Sequence, residues 1–277
     1  GKPTVDNAVS VSDGASMTSG SVFKGGSAIT FTPHNDATVF PNKMSIASHG
    51  GFSIIDYTST ADTSSTMKYP HGLDTAPSMI INKCIDTNSL NWIVFHSSLN
   101  YDTSLSATIT AKEGYISLNQ SHGGIDDATQ WNDTDPTPFL VTLGTGGAIN
   151  PNNKRCLSLC FAKIPGVIDT GRYEGNGNED GPFVYLGFEP AFVMLKKIDA
   201  SGNWFIKDNA RNTFNPVNLE LYPHANDGDY SDGNSAIDFT ANGFKIRGAA
   251  GGYNTLNQTV VYLAMAESSF PLNNRAR

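Results

Sequence analysis

The sequence predicts an all-β protein of two related β-sandwich units, of jelly-roll or lectin-like type, preceded by a strand-rich connector. Two observations lead to this prediction. Short segments of alternating apolar and polar residues are separated by Gly, Asn, Ser and Pro, which is typical of strands joined by tight turns. One stretch also occurs twice without a gap, since Pro77–Asp86 matches Pro190–Asp199. An internal duplication therefore underlies the predicted fold.

The repeat continues in the same order beyond this stretch. Asn91–Trp92 corresponds to Asn203–Trp204, and Leu159–Ala162 corresponds more faintly to Leu263–Ala266. The spacing of roughly 105–113 residues exceeds that of solenoid and propeller repeats and suits a small domain. The predicted parts are a connector over residues 1–49, a first unit over 50–165 and a second unit over 166–277, with a glycine-rich junction near residues 165–181.

The repeated tryptophans identify the predicted core. Side chains alternate between the two faces of a strand, so Trp92 and Val94 share one face. Trp204 and Ile206 occupy the equivalent positions in the second copy. We expect this face to point inward in both units. The opposite face of the second copy contains Lys207, and we expect it to be exposed or half covered.

Composition and charge exclude some classes of protein. The chain has 277 residues, of which 39% are hydrophobic and 16% charged, and its net charge is −8. A nucleic-acid-binding protein needs a basic surface, so nucleic acid is not an expected partner. No apolar run approaches the ~20 residues of a membrane-spanning helix, so membrane insertion is not expected either.

The three cysteines are expected to be buried small side chains rather than a disulfide framework. Cys156 and Cys160 would be ~13 Å apart along one strand face, which is too far for a bond. Cys84 lies in the first copy of the repeat. Free cysteine is commonly buried in this way.

One acidic segment is a candidate cation site. Asp227, Asp229 and Ser231 match positions one, three and five of the calcium-binding loop, while Asp232 occupies position six, where that loop needs Gly. Calcium prefers such oxygen ligands. Asp, Gly and Ser are also ordinary turn formers. The two interpretations are a Ca²⁺ site and a solvated turn, and no other cofactor is expected.

Aromatic residues in polar loops are candidates for carbohydrate binding. Trp131 stands beside Asn132, Asp133 and Asp135, and Tyr230 lies in the acidic segment. An aromatic face stacks on sugar C–H groups, while neighbouring Asn and Asp side chains hydrogen-bond the hydroxyls. The alternative is that these rings fill gaps between strands or subunits.

Several motifs resemble a known family. They are His71–Leu73, Asn91–Trp92, Trp131–Asp133, Cys160–Gly166, Gly171–Phe183, Gly187–Lys197, Asn242–Arg247 and Tyr262–Glu267. Over roughly residues 50–277, this ordered set resembles a domain of structural proteins of tailed bacteriophages, especially marine and cyanobacterial phages. There the domain often forms the C-terminal part of tail-fibre-like or other appendage proteins.

The resemblance implies a non-enzymatic component exposed on the surface of the virion, after assembly in the host cytoplasm. We expect the distal part of a tail fibre or appendage, which contacts host-surface glycan or protein and other virion subunits. Fibre proteins of this kind are commonly trimeric, so a homo-oligomer is expected. One alternative is a head decoration or appendage knob that binds only other virion subunits. Another is a glycan-degrading depolymerase, whose paired carboxylates would be Asp126/Asp127, Asp133/Asp135 or Glu179/Asp180.

Overall fold

The fold is all-β, as predicted. A computed structural model describes residues 21–60, 66–102, 108–231, 234–249 and 252–267. Of the described residues, 42% are in strands and 2% in helix. Within the described ranges, no helix is long and apolar enough to cross a membrane. Contacts divide the chain into two compact units: the first contains the residues up to Ser97, Ala111–Tyr115 and Asp126–Ala162, and the second contains Ser98–Thr110, Ile116–Ile125 and the residues from Lys163 onward.

The strands are short and follow one another closely along the chain. In order, they and the single described helix are β1 (Val22–Lys24), β2 (Ser27–Ala28), β3 (Lys43–Ile46), β4 (Phe52–Thr58), β5 (Met67–Pro70), β6 (Met79–Cys84), β7 (Ile93–His96), β8 (Tyr101–Asp102), β9 (Thr108–Ile109), β10 (Gly114–Ser117), β11 (Ile125–Asp126), α1 (Ala128–Trp131), β12 (Leu140–Leu143), β13 (Arg155–Phe161), β14 (Ile168–Glu174), β15 (Phe183–Tyr185), β16 (Pro190–Lys197), β17 (Trp204–Asp208), β18 (Leu219–Glu220), β19 (Tyr230–Ser231), β20 (Ile237–Thr240), β21 (Gly243–Ile246) and β22 (Thr259–Ala266).

The first unit is built on a large sheet with the strand order β11-β10-β7-β6-β13-β4-β3-β1-β2. A separate ribbon of β5 and β12 packs against this sheet. The contact includes stacked rings of Tyr57 and Tyr69, whose centroids are 5.0 Å apart. The Tyr69 hydroxyl also lies 2.7 Å from Ser158 Oγ, so a polar contact fixes the ribbon on the sheet.

The described part of the predicted connector belongs to the first sheet, which corrects the prediction. β3 pairs antiparallel with β4, and β1 pairs in parallel with β3. Val22, Met44 and Ile46 are buried. These strands are short and separated by Gly and Ser, so the sequence alone does not reveal their pairing partners. Residues 1–20 lie outside the described part of the chain.

The second unit is a sandwich of two sheets. One sheet has the order β14-β22-β16-β17 and the other has the order β15-β21-β20. Buried side chains of both sheets form one hydrophobic cluster. The larger sheet contributes Val193, Leu195, Phe205, Val260, Tyr262 and Ala264, and the smaller contributes Val184, Ile237, Phe239, Phe244 and Ile246.

The two units share a four-strand arrangement. β4-β13-β6-β7 in the first unit and β14-β22-β16-β17 in the second follow the same order, with all neighbours antiparallel. The sequence repeat equates Met79 with Phe192, and strand register places these opposite Phe161 and Met265, respectively. The match of Leu159–Ala162 with Leu263–Ala266 in the sequence also equates Phe161 with Met265. Common origin of the units stays a prediction that this agreement supports.

The predicted junction between the units contains a regular strand. β14 lies inside residues 165–181, and the contact boundary falls between Ala162 and Lys163. Gly171 lies in this strand directly opposite Tyr262, whose ring covers it. A Cβ atom at Gly171 would lie 2.5 Å from the Tyr262 hydroxyl. The glycine is therefore required by packing within a strand.

The predicted core positions differ in burial. Val94 and Trp204 are buried, whereas Trp92 and Ile206 are partly buried. The Trp204 indole donates a 2.8 Å hydrogen bond to the carbonyl oxygen of Ser117. This bond satisfies the polar atom of an otherwise apolar side chain.

The expectation that the face of Lys207 is exposed or half covered is wrong. Lys207 is fully buried, and its Nζ lies 2.9 Å from Oε1 of Glu220, which is also buried. Nζ also donates to the Asn218 carbonyl, and the Tyr222 hydroxyl donates to Glu220. Period-2 alternation identified the two faces of β17. The alternation did not reveal that other segments of the chain cover both of these faces.

The prediction of three reduced cysteines is wrong for two of them. Cys84 and Cys156 lie directly opposite each other on β6 and β13 and form a disulfide. Cys160 is free and buried. The paired cysteines are 72 residues apart in sequence. Only strand register brings them together.

The disulfide should contribute substantially to stability. A bond that closes a loop with a separation of 72 residues is expected to stabilise the fold by about 4 kcal/mol in the chain-entropy description. Reduction should therefore lower the midpoint of thermal unfolding. Thiol titration of the denatured, unreduced chain should find one thiol, and after reduction three. Three thiols before reduction would contradict the bond.

The buried ion pair gives a second stability prediction. Glu220→Gln removes the charge opposite Lys207, and an uncompensated buried charge should cost about 3–5 kcal/mol in urea unfolding. Replacing both residues, with Lys207→Met and Glu220→Leu, should cost much less. Lys163→Ala breaks the partly exposed pair with Asp169 and should cost about 1 kcal/mol or less. Equal effects of Glu220→Gln and Lys163→Ala would contradict this account.

Candidate ligand-binding groove

A groove of about 520 Å³ lies on the first unit. Leu140 and Thr142 of β12 and Lys68 of β5 line it on the ribbon. The other lining side chains combine aromatic and polar groups: His34, Asp36, Thr66, Asn132, Thr134, Thr137, Pro138 and Phe139. This combination of an apolar surface with a few hydrogen-bonding groups is typical of small-molecule sites.

Phe139 is the exposed aromatic residue of the groove. It precedes β12 and is 56% exposed. The Thr137 hydroxyl oxygen accepts hydrogen bonds from the backbone N–H groups of Phe139 and Leu140, at 3.2 and 2.9 Å. The Phe139 ring stacks on the His34 ring, with centroids 5.2 Å apart and planes 16° from parallel. Phe139 is therefore held by both a hydrogen-bonded turn and an aromatic neighbour.

The segment that contains His34 is attached to the ribbon. The backbone N–H groups of Thr38 and Val39 donate to the Lys68 carbonyl. The Lys68 N–H in turn donates to the Thr38 hydroxyl, at 2.7 Å. The Asp36 N–H donates to His34 Nδ1, at 3.2 Å. The bonds to Lys68 attach the His34 side of the groove to β5, which also lines the groove.

A buried histidine supports the turn of Phe139. His71 is fully buried, and its Nδ1 accepts from the Leu73 N–H at 3.2 Å. Its Nε2 therefore carries the proton and donates to the Thr137 carbonyl, at 3.0 Å. Burial lowers the pKa of His71 to about 4, although the bond to Thr137 opposes this shift. His71 is thus a neutral structural group beneath the groove.

Trp131 cannot be the predicted sugar platform, because it is only 1% exposed. It ends the short helix α1, which Asp127 caps by accepting a hydrogen bond from the Thr129 N–H. The Trp131 ring meets Phe95 edge to face, with centroids 5.6 Å apart. Its flanking polar residues made it look like a loop residue. The ring instead fills the core of the first unit.

The neighbours of Trp131 have different positions. Asn132 adopts a left-handed conformation with φ of 53°, caps α1 and lines the groove. Asp133 also has positive φ, at 46°. Asp133 and Asp135 are exposed and do not line the groove. Asn132 is therefore the predicted residue that the structure places at this site.

Tyr230 belongs to the second unit and is not part of the groove. It is 50% exposed, and its ring lies 6.1 Å from that of Tyr222. The sequence had no signal that separates it from Trp131 and its neighbours. Division into units makes this distinction.

The acidic segment shows no cation site among the described residues. Asp227 is exposed, Asp229 forms a 2.8 Å ion pair with Arg211, and Ser231 lies in β19. Asp232 lies outside the described residues. In the described ranges, no group of three or more His, Cys, Asp or Glu side chains could hold a metal. Calcium binding by this segment stays a prediction.

His34 and Phe139 are groove residues that the sequence did not predict. Phe139 ends a proline-containing run that starts at Pro136, where an aromatic residue in a turn could have been noted. His34 gives no comparable signal, since it lies more than 100 residues before Phe139 (139 − 34 = 105). Their ring contact depends on tertiary packing.

The buried histidine predicts acid sensitivity. The folded-state pKa of His71, about 4, is below the ordinary value of about 6.5, so protonation favours the unfolded chain. The contribution of His71 to the free energy of unfolding should be fully present above pH 6.5. It should be lost as the pH falls to about 4, which lowers the free energy of unfolding by roughly 3 kcal/mol in urea unfolding. His71→Gln should reduce this decrease, while His34→Gln at the exposed groove should retain it. An unchanged decrease in His71→Gln would contradict the assignment.

Comparison with known protein families gives one match. A model described as a domain of unknown function, DUF7483, matches residues 14–269. No curated protein and no solved structure matches the chain significantly. The match extends through both units and includes β1–β3, which the structure places in the first sheet. The chain belongs to the DUF7483 family.

Proposed function

We propose that this chain is a non-enzymatic virion protein of a tailed phage, in the distal part of a tail fibre or appendage, and that it binds host-surface glycan. The resemblance of its ordered motifs to phage appendage proteins supports the virion setting. The groove around Phe139 supports carbohydrate binding. The single observation that carries the binding proposal is the exposed Phe139 ring held among hydrogen-bonding side chains.

The groove has the chemistry that a sugar needs. A half-exposed ring such as Phe139 offers an apolar surface to sugar C–H groups. The Asn132 amide and the Thr134 hydroxyl both donate and accept hydrogen bonds, and Asp36 accepts them. This groove lies on strands and short, hydrogen-bonded turns. A ligand would therefore bind without a large ordering cost.

Two of the carboxylates considered for a depolymerase, Asp127 and Asp180, do not have the raised pKa of a glycosidase general acid. A glycosidase acid needs a raised pKa. Burial raises the pKa of Asp127, but hydrogen bonds from Thr129 and Gln130 lower it below its ordinary value. A hydrogen bond from Lys245 lowers the pKa of exposed Asp180. Both groups favour the ionised form, which suits structural roles.

A second candidate function is a knob or decoration protein that binds other virion subunits. Several large apolar side chains are exposed in the second unit, and such residues favour protein contacts when they cluster. Phe214 is 85% exposed, Tyr185 68% and Leu256 61%. The proposed homo-oligomer, with a trimer as the favoured state, rests on the resemblance to fibre proteins, which are commonly trimeric. Labelling of isolated virions with an antibody to this chain would distinguish a tail location from a head location.

Phe139→Ala should weaken glycan binding. Loss of an aromatic stacking contact should reduce affinity by roughly 3- to 10-fold or more. The measurement is binding of purified protein to an array of bacterial surface glycans, together with competition against phage adsorption to host cells.

Phe214→Ala is the matched control, because it removes an exposed phenylalanine of the second unit and leaves the groove intact. It should bind glycan normally. If the unaltered chain binds no glycan and does not compete with adsorption, the proposal fails. Equal binding by Phe139→Ala and the unaltered chain would exclude this groove as the site.

A further inference from the structure

A second groove, of about 580 Å³, lies on the second unit. It is located where β14 ends and β22 begins, beside the turn that follows β16. Its polar lining includes Asn100, Arg172, Glu174, Asp199, Asn257 and Thr259. The volume is in the usual range for ligand sites. Unlike the groove of Phe139, this one is lined mainly by charged and amide side chains.

The equivalent position of the first unit is occupied by an ion pair. Arg155 Nε lies 3.0 Å from both carboxylate oxygens of Asp56. Strand register equates Asp56 with Arg172 and Arg155 with Thr259. Where the first unit has the acid Asp56, the second has the base Arg172. Where the first unit has the base Arg155, the second has the small neutral residue Thr259. The second unit consequently cannot form this ion pair, and a groove lies in its place.

One feature of this position is the same in both units. The backbone N–H of Arg155 donates to Asp86, at 2.8 Å, and that of Thr259 donates to Asp199, at 2.6 Å. The sequence repeat equates the two aspartates. The backbone framework of the two positions therefore agrees, and the side chains at Arg172 and Thr259 make the difference.

The groove contains polar groups with unused hydrogen-bonding capacity. The Arg172 guanidinium donates to the Asn100 carbonyl at 2.8 Å, and no carboxylate in the described ranges lies within 4.0 Å of it. The Glu174 side chain forms no hydrogen bond or ion pair with any described residue. Asp199 Oδ1 is buried and has no partner within the same part of the chain. Arg172 and Glu174 therefore offer unused hydrogen-bonding capacity to a ligand, while Asp199 Oδ1 is shielded and contributes only its charge.

We infer that this groove binds a monoanionic saccharide, such as a uronic acid or a sulfate ester. Arg172 would pair with the anionic group, since guanidinium matches the geometry of such oxygens in a bidentate manner. The Glu174 carboxylate would accept hydrogen bonds from sugar hydroxyls. Asn257 and Thr259 would donate to the remaining oxygens.

The two carboxylates restrict the charge of the ligand. Like charges within a few ångströms repel, and the repulsion grows with the charge on the ligand. A dianionic phosphate monoester would meet both Glu174 and Asp199 with only Arg172 as counter-charge. A singly charged saccharide balances Arg172 and still supplies hydroxyl donors. This site differs from the Phe139 groove in unit, residues and ligand charge, so it extends the proposed function to a second site.

The experiment is isothermal titration calorimetry of the full chain with four probes. They are the methyl glycoside of galacturonic acid, the neutral methyl glycoside of galactose, a galactose sulfate and a galactose phosphate. The uronate or the sulfate should bind at least about tenfold more tightly than the neutral and phosphate probes. Which of the two binds more tightly identifies the source of the anionic group.

Arg172→Gln should reduce binding of the acidic saccharide by about tenfold or more. Arg247→Gln is the matched control, because it removes the same charge from a partly exposed arginine that pairs with Asp238 outside the groove. It should bind normally. Phe139→Ala should also bind the acidic saccharide normally, which separates this site from the proposed glycan groove.

A double variant gives the second unit the ion pair that occupies the equivalent position of the first unit. Arg172→Asp with Thr259→Arg recreates the Asp56–Arg155 pair, so the chain should fold and melt normally while losing acidic-saccharide binding. Absence of binding to both anionic saccharides, equal binding by Arg172→Gln, or tighter binding of the phosphate probe would each overturn the inference.

Discussion

The structure depends on one constraint: in each unit the closing strand lies in the middle of the sheet. β13 pairs with β4 on one side and β6 on the other, and β22 pairs with β14 and β16. The sheet is therefore incomplete until the last strand is added, and most of its hydrogen bonds join residues distant in sequence. Such non-local pairing folds slowly. It also means that the register of one strand determines what every neighbouring side chain meets.

The buried polar groups of the first unit show this dependence. Ser158 of β13 lies 2.7 Å from Asn82 Nδ2 of β6 and 2.7 Å from the Tyr69 hydroxyl. Asn82 also donates to the Tyr57 hydroxyl of β4, at 2.8 Å. A slip of β13 by one residue would turn Ser158 to the opposite face and break its bonds to Asn82 and Tyr69. Asn82 Oδ1 is buried without a partner among the described residues. The hydrogen bonds of this network nevertheless favour one register, because another register would leave more buried groups unpaired.

The two units use the same sheet differently because different chain segments cover it. Strand register equates Phe95 with Lys207. Phe95 packs against Trp131, and Lys207 pairs with Glu220. One site is aromatic and the other ionic, yet both are buried. A second difference lies at the sheet end, where Arg172 occupies the position equivalent to Asp56 and lines a groove. Ligand binding in our two proposals therefore depends on what was added to the shared sheet.

The sequence by itself determined the all-β class, the main strands and the two faces of β17, because alternation of side chains is a local property. The sequence repeat also predicted which positions of the two units are equivalent, and the register of the strands agrees with that alignment. Tertiary structure alone decided that Cys84 meets Cys156, that Trp131 is buried and that Phe139 stacks on His34. Each of these depends on which distant segments become neighbours. Burial and strand pairing arise from contacts between segments that are distant in sequence, so local sequence patterns do not predict them.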